Sequence, residues 1–426
     1  MMTRSVCVDT EPSSGDHPDK IGNDVLRRKR WRPPSSQSGR NRGDHMARET
    51  KGLISGISRR RLIKSAAGVA AALGAPAIIG RAPISSARAD FAGENLIVVS
   101  WSGNHELSFR AAVVEPFNEK YGTKVETVGG WDQMVSQIVA APADNPPFDI
   151  TIADEYTSSA GFAEKLFLKT DRSRIPGFSA VYPWFDEERG PAKEYGVPFG
   201  GGSLWMLTAK SAELKPDSWR NFWDAKAQGK ITMDAAAFYW DLCIPAILSD
   251  RKPGIEEVFE TPTEMEPLFL ELEKLKMAKW YKDGAELTNL MLQDEAEVAT
   301  MYSADAYGFI KEHGEEFEAA IPKEGTASYT NWFLKVRGTR HADLADLFMA
   351  YLLEKETQQR FLDVSTDFMS RNDLTPPAHW ANYPRSEETI RQTFKLFSID
   401  GWSKFGPNWD ALDARMKQTI AKTTQG

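Results

Sequence analysis

The sequence predicts an α/β protein of two lobes joined by crossing strands. Three observations predict it. The region after residue 90 opens as strand, helix, strand, helix, strand, the pattern of a parallel sheet with helices on its faces. The same alternation restarts after residue 218, and two extended stretches, near residues 195–208 and 332–336, are placed to cross between the halves.

Leu96-Ile97-Val98-Val99-Ser100 is short, apolar and β-branched, which reads as a buried parallel strand. Trp101-Ser102-Gly103-Asn104 ends it with turn chemistry. Phe109, Val113 and Phe117 then recur at steps of four and predict one helix over Glu106–Lys120. Lys124–Val128 alternates as a strand, and Asp132–Ala141 reads as a helix burying Met134, Val135 and Ile138. Phe148–Ala153 is a third strand, ended by Asp154-Glu155, and Ser158–Leu168 a short helix. Arg172–Glu194 reads as irregular. Tyr195–Thr208 reads as two extended pieces around Gly200-Gly201-Gly202, where backbone bends freely.

Beyond it, Ser218–Asp224 reads as a helix and Lys230–Met233 as a strand. Tyr239–Ser249 reads as a helix despite Pro245, and Glu264–Lys276 as one burying Leu268, Leu272 and Leu275. Glu286–Glu295 is helical, Val298–Tyr302 a strand, and Ala306–His313 a helix. Trp332–Val336 is the second crossing, and helices over 344–353, 358–364, 387–396 and 410–419 close the chain.

Upstream lies a segment of another kind. Ser58-Arg59-Arg60-Arg61-Leu62-Ile63-Lys64 precedes a weakly apolar run from Ser65 to Gly80, and Ala87-Arg88-Ala89 follows as a small-residue cleavage site. Basic, apolar and cleavage regions in that order form an export signal, and the twin arginine resembles the bacterial twin-arginine (Tat) pattern. The run is too short and too rich in glycine, alanine and proline to span a bilayer of roughly 20 apolar residues. Cleavage after Ala89 would release residues 90–426 into the periplasm. Residues 46–89 are then a signal of normal length, and residues 1–45 a disordered leader or the product of a start codon set too early.

Removing that segment changes the charge. Residues 1–89 carry 17 of the 52 basic and 7 of the 60 acidic side chains, so residues 90–426 carry 35 and 53, a net of −18. Such a protein repels nucleic acid and anionic membrane and favours cationic ligands. Its 337 residues exceed what one core usually serves. Cys7 leaves with the leader, and Cys243 alone forms no internal disulfide.

Motifs for catalysis are thin. No G-x-S-x-G, H-E-x-x-H, C-x-x-C or Walker loop occurs, and no cofactor, catalytic residue or metal is implied. His105, His313, His341 and His379 are scattered and read as surface or capping residues. Acidic pairs such as Asp154-Glu155 and Glu187-Glu188 keep open an exported, carboxylate-dependent hydrolase. Aromatic residues are the stronger signal. Trp101, Trp131, Trp205, Tyr302 and Trp332 sit at strand ends or glycine turns, and in open α/β sheets ligands bind at the carboxyl ends of strands. Aromatic faces beside carboxylates suit an organic ammonium, although tryptophans packing lobe cores would give the same pattern.

Several segments carry a family resemblance: V-V-S-W-S-G-N at Val98–Asn104, K-Y-G-T-K-V-E at Lys120–Glu126, G-V-P-F-G at Gly196–Gly200, S-W-R-N-F-W-D at Ser218–Asp224, Y-S-A-D at Tyr302–Asp305 and I-P-K-E-G at Ile321–Gly325. In this order they resemble the substrate-binding proteins of bacterial ABC importers, in the spermidine/putrescine-binding branch. The resemblance implies a type II periplasmic-binding-protein fold. Residues 90–201 with 331–378 would form lobe I, and residues 202–330 with 379–426 lobe II. It also implies ligand contacts by Trp101, Ser102, Tyr302, Asp305 and Asn331; with Trp131 and Asp154, which the strand ends and glycine turns supply, they make up the expected ligand-binding set. Asp305 is the principal counter-charge in that set, and Asn331 stands where the polyamine binders carry an acid, which leaves room for a monoamine, a zwitterion or another small polar solute. The expected partners are a small, cationic solute and an ABC permease, with the protein itself a monomer. A sensor presenting its ligand to a membrane receptor would share the fold.

Overall fold

Leu96, Val98 and Val99 are buried on both faces of β1 (Asn95–Trp101), as a parallel strand covered on both sides requires. The computed structural model describes residues 91–131, 133–249, 262–396 and 398–424; the export signal, its cleavage site and Asp132 lie outside them. β1 pairs in parallel with β2 (Lys124–Gly130) and β3 (Ile150–Ala153). The single helix expected between β1 and β2 is instead α1 (Asn104–Phe109), a π turn over Arg110–Val114, and α2 (Glu115–Tyr121). Pro116 has no N–H to continue the backbone ladder, and it lies directly after the π turn, where the ladder changes from π to α spacing. Phe109, Val113 and Phe117 are nonetheless buried together. α3 (Gln133–Ala140) buries Met134 and Ile138, while Val135 is only half-buried.

α4 (Glu155–Ala163) starts where β3 ends, capped by Asp154, whose carboxylate accepts the Thr157 N–H at 2.8 Å. The stretch expected to be irregular contains α5 (Pro183–Arg189), which opens on Pro183 and buries Trp184, Phe185 and Arg189. Pro183 pre-sets the first helical φ there and so initiates the helix.

β4 (Val197–Ala209) is one continuous strand, buried along its whole length. Its glycines are there for close approach. A Cβ on Gly200 would stand 2.2 Å from the Phe368 carbonyl, one on Gly201 2.2 Å from the Phe368 ring and the Tyr329 carbonyl, and one on Gly202 2.2 Å from the Tyr329 hydroxyl. The first half of β4 pairs antiparallel with β9 (Thr326–Lys335), the second half with β7 (Val298–Tyr302) and β8 (Phe317–Ala320). β9 pairs in turn with β3, while β5 (Ile231–Asp234) lies parallel between β7 and β6 (Met277–Tyr281). The order is β2-β1-β3-β9-β4-β7-β5-β6, two parallel groups joined through the antiparallel β4–β9 pair.

Ser218–Asp224 forms a 3-10 turn over Trp219–Trp223 in place of a full helix. α6 (Phe238–Leu248) contains Pro245 as expected, and α7 (Pro262–Leu272) ends early enough to leave Met277–Tyr281 for β6. α8 (Gly284–Leu292) and α9 (Ser303–His313) follow, the latter directly on β7. α10 (Ala342–Leu352) and α11 (Lys355–Leu362) pack on the first group, and β10 (Phe368–Met369) pairs with Gly200–Gly201. The helix expected over 387–396 stops at Thr393 as α12 (Glu387–Thr393), and β11 (Phe394–Leu396) adds to the N-terminal end of β9. α13 (Ile399–Phe405) sets Trp402 against Tyr156 of α4, and α14 (Trp409–Thr423) ties Arg415 to Glu266 and Glu273. No helix among the described residues is long and apolar enough to cross a membrane.

Candidate ligand-binding site

The carboxyl ends of β1, β3, β5 and β7 carry Trp101, Asp154, Asp234 and Tyr302, and the crossing strand β9 runs between the two groups. Side chains alternate along β9, so Tyr329 and Asn331 share one face and Thr330 and Trp332 the other. On the first face Trp101 donates its indole N–H to Asn331 Oδ1 at 2.7 Å. Trp101 stacks on Trp131 with centroids 6.0 Å apart and meets Tyr329 edge-on at 6.5 Å. Tyr329 then meets Trp240 of α6 at 5.7 Å. Trp131, Trp101, Tyr329 and Trp240 thus form a row from the first parallel group, over the crossing strand, to the second. Trp101 and Trp240 are buried, and Trp131 is 55 % exposed, so its outer face is open to solvent.

Carboxylates surround this row. Asp305, in the first turn of α9, accepts from Asn104 Nδ2 of α1 at 2.8 Å, a bond from one parallel group to the other. Asp234 accepts the Ala236 and Ala237 N–H groups and the Tyr302 hydroxyl, the last at 3.2 Å. Behind Asn331, Glu155 accepts the N–H and hydroxyl of Thr330. Burial raises the pKa of Asp154, Asp234 and Asp305, and burial followed by Asp154 pushes Glu155 up to about 8. Tyr329 lies among them: burial, then Asp367, Asp154, Asp305 and Glu155, hold its hydroxyl well above the ordinary range. The cation acting on Asp154 and Glu155 is the buried Arg189, which donates to Ser158 and lies over the Trp332 ring at 4.5 Å, on the far face of β9. The row's own face therefore carries carboxyl groups and aromatic surface. That arrangement attracts a cation and gives it flat faces to lie on.

Of the sequence-predicted residues, Trp101, Trp131 and Asn331 come together directly, and half-buried Ser102 follows Trp101. Asp305 and Tyr302 flank the start of α9, Asp305 bridged to Asn104 and Tyr302 to Asp234. Asp154 is engaged as the α4 cap. Two aromatics of the wider set belong to the core instead: Trp332 is wholly buried, and Trp205 packs on Trp380 at 5.1 Å. His105 is not a surface or capping residue. It is 2 % exposed, its Nδ1 lies 2.7 Å from Ser100 Oγ, and its Nε2 lies 3.6 Å from Asp367 Oδ2. Sequence reasoning missed Tyr329, Trp240 and Asp234. Tyr329 had a signal, since it precedes Asn331 by two residues on a strand; Trp240 had none, because it lies inside a helix. Among the described residues no group of acids, histidines and cysteines is arranged to hold a metal.

The profile of the bacterial extracellular solute-binding proteins matches residues 112–387. The chain belongs to this family. A curated relative, the gamma-aminobutyric acid-binding protein of Pseudomonas aeruginosa, is 24% identical over 283 residues, covering 65% of this chain and 77% of its own. Among solved structures, the spermidine/putrescine ABC transporter substrate-binding protein of Streptococcus pneumoniae superposes with a TM-score of 0.64 at 18% identity, over 78% of this chain and 100% of its own. A binding protein of Agrobacterium tumefaciens in complex with agropinic acid gives 0.59 at 18%, over 77% and 99%. These structures share the type II periplasmic-binding fold, with two α/β parts joined by crossing strands. In this solute-binding protein the crossings are β4 and β9, and the aromatic row lies over β9.

Proposed function

We propose that this solute-binding protein captures a small organic cation in the periplasm, between lobes that close on it, and delivers it to an ABC permease. The observation that carries the reading is the convergence on Tyr329: the indoles of Trp101 and Trp240 touch it, and four carboxyl groups act on it. The lobes are residues 90–201 with 331–378 and residues 202–330 with 379–426, and the ligand-binding set is Trp101, Ser102, Trp131, Asp154, Tyr302, Asp305 and Asn331, joined by Tyr329 and Trp240. Trp131 and Trp101 supply ring faces, each worth about 0.5–2 kcal/mol to a cation. Asp305 supplies the counter-charge through the carboxylate oxygen that Asn104 leaves open. Asn331 is neutral and already engaged by Trp101, so it supplies no charge for a second ammonium at its own position. A solute with one ammonium, with or without a distal polar group, matches that supply, and the relatives that bind gamma-aminobutyric acid or polyamines are amine binders by name. Ligand energy shifts the open–closed population by its differential affinity for the closed form.

The test is a thermal-shift screen of organic cations, followed by calorimetry on the wild type and Asp305→Ala. The expected result is a saturable 1:1 cation that Asp305→Ala weakens more than tenfold, with the melting temperature of the empty protein little changed. Unchanged affinity in Asp305→Ala would remove Asp305 from the site.

A further inference from the structure

Directly behind the proposed ligand contacts runs a chain of polar groups that the binding reading does not use. Ser100 precedes Trp101 on β1, and its hydroxyl lies 2.7 Å from His105 Nδ1. His105 Nε2 faces Asp367 Oδ2 at 3.6 Å, and neither atom has another hydrogen-bond partner. Asp367 Oδ1 accepts the hydroxyl of Ser303, the first residue of α9, between Tyr302 and Asp305. The Ser303 hydroxyl also accepts the N–H of Ser203 on β4 at 3.1 Å, and its carbonyl accepts the Thr366 hydroxyl. All four side chains are at most 2 % exposed, so this serine–histidine–aspartate line meets no substrate. It joins the residue before Trp101 to the residue between Tyr302 and Asp305, the two arms of the cation site.

We propose that Asp367 is a positioning residue for cation capture: through Ser303 it holds the first turn of α9 in register with β1, and it gives up a proton when the cation arrives. This rests on the cation reading above.

The surroundings of Asp367 support the exchange. The charged or titratable groups facing it are His105 from α1, Asp305 from α9 and Tyr329 from β9; His379 is engaged nearby, with its Nε2 at 2.7 Å from the Ser365 carbonyl. Among the described residues no lysine or arginine acts on it. Burial, and then the charge of Asp305, push Asp367 up to about 7, while burial between Phe109 and Phe361 lowers His105 to about 3. Near neutral pH the pair therefore shares at most one proton, on Asp367, with the imidazole neutral. A cation beside Asp305 cancels the charge that keeps Asp367 protonated. The carboxyl O–H then breaks, its proton passes to buffer, and the carboxylate keeps the bonding pair and accepts from Ser303 and from Nε2–H of His105. The positive charge gained with the cation is offset by the proton lost.

The experiment titrates the full chain with the tightest binder among spermidine, putrescine, 4-aminobutyrate and choline, at pH 5.5 and pH 8, in buffers of different ionisation enthalpy. Asp367→Asn keeps an acceptor for Ser303 and fixes the neutral state. Its affinity should match the wild type at pH 5.5 and fall about fivefold or more below it at pH 8, with wild-type proton release near pH 7 reduced in the variant. Ser303→Ala, which cuts the link but keeps the carboxyl, should weaken binding at both pH values and move the pH dependence to higher pH than in the wild type, because the hydrogen bond that lowers Asp367 is gone. An Asp367→Asn to wild-type ratio that is the same at both pH values, or equal proton release from both proteins, would overturn the proposal. Binding of none of the four cations would instead overturn the cation reading, and this proposal with it.

Discussion

At the scale of single residues, the Trp101–Asn331 hydrogen bond has two consequences. It orients the indole that forms the middle of the aromatic row, and it satisfies both buried polar groups at once. Asn331→Leu would keep the volume but leave the Trp101 N–H without an acceptor, at a cost of about 1–3 kcal/mol. Chemical denaturation should register that loss, and the same variant should bind the solute more weakly because Trp101 is no longer held. Asn331→Asp keeps the acceptor and adds a charge; it should favour a diamine over a monoamine relative to the wild type, as competitive calorimetry would record. Asn331 was recognisable from sequence through its position after I-P-K-E-G. Its partnership with Trp101 was not, because the two residues are 230 positions apart and no local pattern encodes such a contact.

Among the elements, β4 shows what the sequence made legible and what it hid. A glycine triplet between apolar runs is visible, and the crossing role follows from its place between the two alternating halves. The reason for the glycines lies in segments far along the chain: Phe368 and Tyr329 occupy the space that side chains would take. Gly200→Ala sets a methyl against the Phe368 carbonyl, so backbone must shift, and a destabilisation of about 1–3 kcal/mol should appear in denaturant unfolding. Gly202→Ala meets the movable end of the Tyr329 ring and should lower solute affinity more than stability. A larger stability loss at Gly202 than at Gly200, with affinity unchanged, would separate Tyr329 from the site. The parallel strands β1, β3, β5 and β7 were readable because burial on both faces leaves short β-branched runs. β6, β10 and β11 were not, being stretches of two to five residues whose pairing comes from their neighbours. The π turn over Arg110–Val114 was equally hidden, since the apolar step of four continues through it.

For the whole molecule, the decisive property is that acidic groups gather at the centre: the buried Arg189 acts on Asp154 and Glu155, while among the described residues no lysine or arginine acts on Asp234, Asp305 or Asp367. The protons they retain make stability depend on pH. Glu155, held at about 8 in the folded state, stabilises the fold in acid and loses that contribution as pH rises through 8; Asp367, at about 7, acts in the same direction. His105, lowered to about 3, acts oppositely, with stability lost as pH falls from 6.5 toward 3. Above pH 6.5 the raised acids operate without His105, the buried Asp241 with them, so unfolding free energy should decline between pH 6.5 and 8, and Glu155→Gln should reduce that decline. A saturating cation should flatten it as well, by supplying the missing charge. The central claim is that the aromatic and acidic face over β9 holds an organic cation, and calorimetric titration of the full chain with an organic-cation panel, beside neutral sugars and organic anions, tests it most directly. The account predicts 1:1 binding of a cation that weakens more than tenfold in both Asp305→Ala and Trp131→Ala. Tight binding of a sugar or an anion, unaffected by either substitution and with no cation bound, would contradict it.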